Sequence, residues 1–374
     1  MVHQFSRILL VRLRQIGDVV FTTPAVHALR VHFPGAHLTY LVEPAAAPIV
    51  AHNPHLDEVI VAPRSNGLRG LVDDLALGRR LRAERFDLAI DFHGGPRASL
   101  LTWLSAAPER VGYEVAGRSW MYTTRVGRPR ELRPRHSVVN QWDLVAALGV
   151  PPPDPARAPT EMAVDRRAAG AVDERLARAG VGADDRIVVV HVSAGNPFRR
   201  WPLEHFVEVA AVLAGEDPGR RVIITSGPSE EDAAARVIAS ARERLGSAGA
   251  PRVLSCGEFS LAELRALLDR ATLYIGGDSG PLHIASTTRV PIVGLYGPTL
   301  PERSAPWRSA VYATESVDAG PLPCRPCDQR VCAPGDFRCL IAIRPQQVVE
   351  AAQRALARAA APQVKGRPTP ETKS

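Results

Sequence analysis

Short apolar runs alternate with stretches of helical periodicity along most of this 374-residue chain. Parallel sheets leave this pattern, because their strands are buried on both faces and the crossovers between them are helices. In the first half, residues 7–13, 37–42, 58–62, 87–91 and 110–113 predict strands, and residues 24–32, 68–83, 98–106 and 136–148 predict helices. The segment Pro151-Pro152-Pro153-Asp154-Pro155 then breaks the alternation, since prolines offer no N–H to a helix or a central strand. Beyond it the pattern restarts, with strands expected over 187–192, 221–225, 252–255, 273–275 and 292–295. Helices are expected over 203–213, 230–244, 261–269 and 282–288, and a last one over 345–360.

The implied fold is α/β, with two Rossmann-like domains at residues 1–150 and 161–344 joined by a linker at 151–160. A closing helix at 345–361 and a polar, disordered tail at 362–374 complete the expected layout. Two doubly wound domains on one linker face each other across a cleft, and such sheets bind ligands beyond the C-terminal ends of their strands.

Composition narrows the class. An apolar fraction of 45% and a charged fraction of 23% suit a globular protein. No uncharged apolar run reaches the roughly 18 residues of a membrane span. The apolar stretch Ile8–Val11 is interrupted at once by Arg12 and Arg14, which does not suit a signal peptide. A cytoplasmic location is therefore expected. The net charge of +7 favours anionic partners. Of the 46 basic residues only Lys365 and Lys373 are lysines, a bias that also fits a GC-rich coding sequence, so only arginines inside motifs carry functional weight.

Four segments hold candidate chemistry. Leu273–Gly277 ends an apolar strand, and Asp278-Ser279-Gly280-Pro281 opens a helix carrying His283 in its first turn. Ser279 suits an N-cap and Pro281 the first helical turn. A small turn with free N–H groups and a helix dipole attracts phosphate, although an ordinary strand–cap–helix junction has the same spacing. The segment is no G-x-G-x-x-G fingerprint, which disfavours a dehydrogenase. The second segment, His191–Pro202, brings Arg199 and Arg200 to the same strand-end face. In the third, Gly17-Asp18 turns the chain out of the first strand. There Asp18 suits either a general base or a helix cap. The fourth, Asp91-Phe92-His93-Gly94-Gly95-Pro96-Arg97, sets His93 and Arg97 beside an expected anionic acceptor.

Together these segments resemble the heptosyltransferase-type glycosyltransferases of family 9, which build the lipopolysaccharide core of Gram-negative bacteria. The resemblance runs from Arg7 to about Val349 and also takes in Thr23-Pro24-Ala25, Arg199-Arg200-Trp201-Pro202, Asp278-Ser279-Gly280-Pro281-x-His283-x-Ala285 and Gly297-Pro298-Thr299-x-Pro301. It implies the GT-B architecture, with an acceptor-side first domain, a donor-binding second domain and a C-terminal helix that crosses back. It implies a nucleotide-diphosphate sugar donor, most often ADP-heptose, and an anionic glycolipid acceptor met at the cytoplasmic face of the inner membrane. Asp18 aligns with the catalytic carboxylate, Arg199 with the diphosphate-binding cation, and Asp278, Ser279, Gly280 and His283 with the nucleotide-contacting segment. The expected reaction is a single inverting displacement with no required cofactor, and the chain lacks Asp-x-Asp.

Cys324, Cys327, Cys332 and Cys339 form a dense cluster that could hold a structural metal or remain as reduced thiols, with Cys256 apart from it. Two other functions share the scaffold: transfer with a different sugar or acceptor, and non-catalytic binding of a nucleotide sugar or anionic glycan. Asp18 argues against the second. Nucleic-acid binding is not expected, because no basic stretch with interleaved aromatics marks a known module.

Overall fold

The computed structural model describes residues 5–65, 67–127, 135–192 and 195–361. The tail from Pro362, and Ser193 and Ala194 of the arginine-bearing loop, lie outside them.

The first half forms a six-stranded parallel sheet of β1 (Arg7–Val11), β2 (His37–Val42), β3 (Glu58–Val61), β4 (Leu88–Asp91), β5 (Glu109–Tyr113) and β6 (Thr124–Val126). Its order is β3-β2-β1-β4-β5-β6. The second half repeats the topology with β7 (Arg186–His191), β8 (Arg220–Thr225), β9 (Val253–Leu254), β10 (Ala271–Gly277), β11 (Ile292–Tyr296) and β12 (Thr314–Asp318), in the order β12-β11-β10-β7-β8-β9. Each sheet reverses its winding once, between β1 and β4 and between β7 and β10. The crevices at those switch points are where a doubly wound sheet takes ligands.

The middles of the central strands are apolar because both faces are covered. In β1, Ile8 and Leu10 enter one core cluster while Leu9 and Val11 enter another. In β7, Ile187 and Val189 take one side and Val188 and Val190 the other. The cluster that receives Ile8 and Leu10 also receives Val189, Tyr274, Leu282 and Ile284, so apolar packing is continuous from one half to the other. At about 25 cal/mol per Å² of buried apolar surface, such a seam favours a closed pair of domains.

Residues 150–165 form no helix or strand, yet they are pinned at several points. Trp142 Nε1 donates to Pro151 O at 2.8 Å and Trp307 Nε1 to Ala158 O at 3.0 Å. Thr160 Oγ1 lies 2.8 Å from Ser286 Oγ, and Glu161 N donates to Thr23 Oγ1 at 2.8 Å.

The last helix, Pro345–Ala360, departs from expectation. It does not cross back to the first half. Val348, Val349, Ala351, Ala352 and Ala355 pack into the core of the second sheet, against β10–β12 and the helix Leu203–Glu216. Arg354 and Arg358 then pair with Glu315 of β12 at 3.2 and 3.4 Å. The apolar stripe of this helix matches the outer face of the nearest sheet and is fully used there.

Candidate active site

β1 ends at Val11, and the next residue, Arg12, is buried. Its Nη1 donates to Phe92 O at 2.5 Å and its Nη2 pairs with Asp18 Oδ2. Asp18 sits in the short helix Ile16–Val20, whose N-cap is Gln15, so it does not cap that helix. Its side chain is 38% exposed while that of Arg12 is 10% exposed. A buried guanidinium thus fixes the orientation of an accessible carboxylate. The role of Arg12 was not read from the sequence, although it stands in the N-terminal motif.

In the second half, β10 delivers Gly277, and Asp278 follows at the switch point. Asp278 is 2% exposed. Its Oδ1 lies 3.3 Å from His283 Nε2, and its Oδ2 accepts from Thr299 Oγ1 at 2.6 Å and stands 3.2 Å from Arg199 Nη1. Burial alone would raise this carboxyl, but His283, Arg199 and Thr299 outweigh it and hold the group at about 2. Arg199 closes the 3-10 turn Pro197–Arg199, donates from Nη1 to Asp278 O at 2.8 Å, and is steadied by Gln329 Oε1 at 2.7 Å from its Nε. Arg199, Asp278 and His283 therefore form one charged cluster. Thr299 and Gln329, to which sequence reasoning gave no role, complete it.

Ser279 occupies the N-cap position of the helix Gly280–Ser286, but its hydroxyl donates to Gly277 O at 3.3 Å and caps nothing. Gly280 is small for another reason than expected. A Cβ there would meet Ile16 Cγ2 at 3.0 Å, and one on Gly17 would overlap the His283 ring. The two glycines let the Ile16–Val20 turn press directly onto the helix Gly280–Ser286, which joins the Asp18 side to the Asp278 side. Phe21 fills the rest of the seam, its ring 4.4 Å from His283 and 5.3 Å from His136. His136 Nε2 in turn meets Ala305 O at 2.8 Å, and burial lowers its imidazole to about 4.

The Asp91–Arg97 segment divides into two roles. Asp91 is fully buried and organises the loop, accepting from His93 N at 2.8 Å, Gly94 N at 2.9 Å and Tyr122 Oη at 2.6 Å. His93 is half-buried beside Arg12. Burial and the charges of Arg12 and Arg14 lower its imidazole to about 4, so at neutral pH it offers a hydrogen bond and no positive charge. Its Nδ1 is shielded and has no hydrogen-bond partner among the described residues. Arg97 is engaged within the first half. It donates to Glu43 at 2.8 Å, to Asp74 at 2.7 Å and to Pro63 O at 2.5 Å. Its charge is spent on two carboxylates, which leaves it to lock the helix Gly67–Ala83 onto the sheet.

Cys324, Cys327, Cys332 and Cys339 all line one cavity of about 180 Å³. Among the described residues no three of their sulfurs come within 4.8 Å of one another, whereas four thiolates around zinc need closer spacing. Burial and the neighbouring thiols raise Cys339 above the usual thiol range. The close sulfur spacing of a tetrahedral zinc site is therefore not formed in this arrangement.

Comparisons with known proteins agree with this geometry. The model of "Glycosyltransferase family 9 (heptosyltransferase)" matches residues 75–333. Lipopolysaccharide heptosyltransferase 3 of Escherichia coli is 27% identical over 318 residues, covering 84% of this chain and 89% of that protein. The crystal structure of the glycosyl transferase family 9 from Veillonella parvula superposes with a TM-score of 0.81 at 25% identity, over 94% of this chain and 97% of the other. The structure of E. coli ADP-heptose LPS heptosyltransferase II gives 0.74 at 18% identity, over 95% and 100% of the two chains. With two doubly wound sheets in the GT-B arrangement and a family match over most of its length, this chain belongs to glycosyltransferase family 9 (heptosyltransferase) and is a sugar-transferring enzyme.

Proposed function

We propose that this enzyme moves a heptose from ADP-heptose to the lipopolysaccharide core by a single inverting displacement. Asp18 takes the proton of the acceptor hydroxyl, whose oxygen attacks the anomeric carbon. The bond to the diphosphate breaks, and ADP leaves with the electron pair. The observation that carries this reading is the direct packing of the Ile16–Val20 turn on the helix Gly280–Ser286, which puts a fixed carboxylate beside the Arg199–Asp278–His283 cluster.

Each part has a physical task. Arg12 holds Asp18 in one orientation, the condition for efficient general base catalysis. Arg199 faces the charge that develops on the departing diphosphate, and Asp278 with Gln329 keeps that guanidinium in place before substrate arrives. Ser279, Gly280 and His283 line the nucleotide side. His93 bonds the acceptor as a neutral donor or acceptor. In this reaction the charge on the leaving group is met by protein cations, so the step needs no metal, and the cysteine cluster lies outside it.

The acceptor is anionic and lipid-linked, and the helix Gly67–Ala83 suits work at the inner surface of a membrane. Leu68, Leu71, Val72 and Leu75 are 84, 54, 63 and 41% exposed, at the i, i+3, i+4, i+7 spacing of a single helix face. Arg69, Arg79, Arg80 and Arg82 lie on the same helix. An apolar stripe with flanking arginines lies in the plane of an anionic lipid surface. No helix among the described residues is long and apolar enough to cross a membrane.

The test is ADP release by the purified protein from a panel of nucleotide sugars, with and without lipopolysaccharide-core acceptors. Acceptor-dependent release from ADP-heptose, reduced by roughly 10²–10⁴-fold in Asp18→Ala with donor affinity retained, is the expected outcome. Wild-type turnover by Asp18→Ala would remove Asp18 as the base. Preference for another donor would replace heptose in the reading.

A further inference from the structure

Away from the cleft, three side chains from distant parts of the sequence converge where the linker ends. His27 lies in the helix Thr23–His32 and His55 in the loop beyond the helix Ala47–Val50, while Glu161 belongs to the segment leading into the second half. The two imidazole rings stack with centroids 4.1 Å apart and planes 11° from parallel. His27 Nδ1 stands 3.1 Å from Glu161 Oε1, and His55 Nε2 stands 3.1 Å from Glu161 Oε2. All the potential ligand atoms lie within 4.8 Å of one another.

These contacts are short, but they are not hydrogen bonds. His27 Nδ1 and Glu161 Oε2 are both shielded from solvent, and neither has a hydrogen-bond partner among the described residues. Each ring faces its own oxygen of the Glu161 carboxylate, and an ion shared by all three side chains would turn the two rings out of their stack toward it. Two imidazoles and one carboxylate are a donor set suited to zinc and its neighbours, with about 2.0–2.2 Å from each ligand atom to the metal. The three side chains remain 21–26% exposed, which leaves one side open to a water ligand. The surrounding backbone holds the ligands in place. Arg30 Nε donates to His55 O at 3.1 Å, Asn53 Oδ1 accepts from His55 N at 2.9 Å, and Glu161 N is bonded to Thr23.

We propose that His27, His55 and Glu161 form a divalent transition-metal site of the zinc type, completed by water, which fastens the end of the linker to the first half. The inference is independent of the identity of the sugar donor.

The full-length chain, stripped with chelator and carrying Cys324→Ser and Cys327→Ser, is titrated with Co²⁺. One equivalent should bind, giving visible ligand-field bands without a thiolate charge-transfer band, and Zn²⁺ should displace it. Glu161→Gln and His27→Ala should each weaken Co²⁺ binding at least about tenfold, as loss of one ligand does. A second measurement leaves the cysteines intact: Zn²⁺ should raise the melting temperature of the wild-type chain, and the rise should shrink in His55→Gln. If the cysteine variant does not fold, wild-type protein with its thiols blocked by alkylation takes its place. Failure of the folded, thiol-blocked chain to bind Co²⁺, or equal binding by Glu161→Gln and His27→Ala, would overturn the site.

Discussion

Gly17 and His283 touch across the seam between the two halves: a Cβ on Gly17 would clash with the edge of the His283 ring, close to its Cδ2. The contact makes the separation of base and donor side a matter of a single missing methyl group. Gly17→Ala should push the Asp18 turn away from the helix Gly280–Ser286. Displacements near 1 Å cost about 10²-fold in rate, whereas overpacking costs about 1–3 kcal/mol of stability. Steady-state kinetics alongside urea unfolding should therefore show a loss of turnover far larger than the loss of stability.

Asp278 anchors the donor cluster, and its depressed ionisation is a stability contribution. With the folded group at about 2 and an ordinary value of 3.8, the stabilisation is fully present above about pH 4 and disappears as pH falls toward about 2. Its size is roughly 2 kcal/mol. Asp278→Asn should lower the urea midpoint at about pH 5, and the gap to wild type should narrow at about pH 3. Nucleotide affinity should fall as well, because Arg199 and His283 lose the group that orients them.

Acid should weaken the fold well before the carboxylates protonate. His191 is buried at the C-terminal end of β7 with Nδ1 3.0 Å from Thr225 Oγ1. Burial lowers it to about 4 from the ordinary 6.5, and His93 and His136 are lowered to about the same value. The unfolded chain binds these protons as pH drops through 6.5, while the native chain refuses them until about 4. Stability is thus complete above that window and lost within it. His191→Gln should flatten the decline between about pH 6.5 and 4, removing roughly 3 kcal/mol of pH dependence. Melting temperatures across that range check it.

The exposed stripe on the helix Gly67–Ala83 makes a separable prediction. Leu71→Glu with Leu75→Glu should change the melting temperature little, since both side chains are exposed and belong to no core cluster. Co-sedimentation with vesicles rich in phosphatidylglycerol should fall at least about tenfold, each leucine contributing about 1.5–3 kcal/mol when buried. Unaltered sedimentation would move the membrane contact elsewhere.

Most of the sheet architecture could be read from the chain because central parallel strands are uniformly apolar. β6 and β12 could not, although the other two edge strands, β3 and β9, could. Thr314–Asp318 buries Val317 alone, and three-residue β6 has no periodicity to detect. The helix Arg166–Arg178 was overlooked although Asp165 caps it and Ala168, Val172 and Leu176 recur every fourth residue. Its density of arginines masks that stripe. Among the candidate site residues, Asp18, Arg199 and Asp278 fall in the segments that follow β1, β7 and β10, a position the sequence does encode. The engagement of Arg97 by Glu43 and Asp74 depends on partners far away in the chain, and no local pattern announces it. The same holds for Gly17 and Gly280, whose smallness reads as a ligand turn until the opposite half is in view.

Thr160 and Glu161 bond Ser286 and Thr23, the tail of one motif helix and the head of another. That stitch behaves as the spine of a book. Any movement of the halves that keeps both bonds is a tilt about this point, since sliding would break them together.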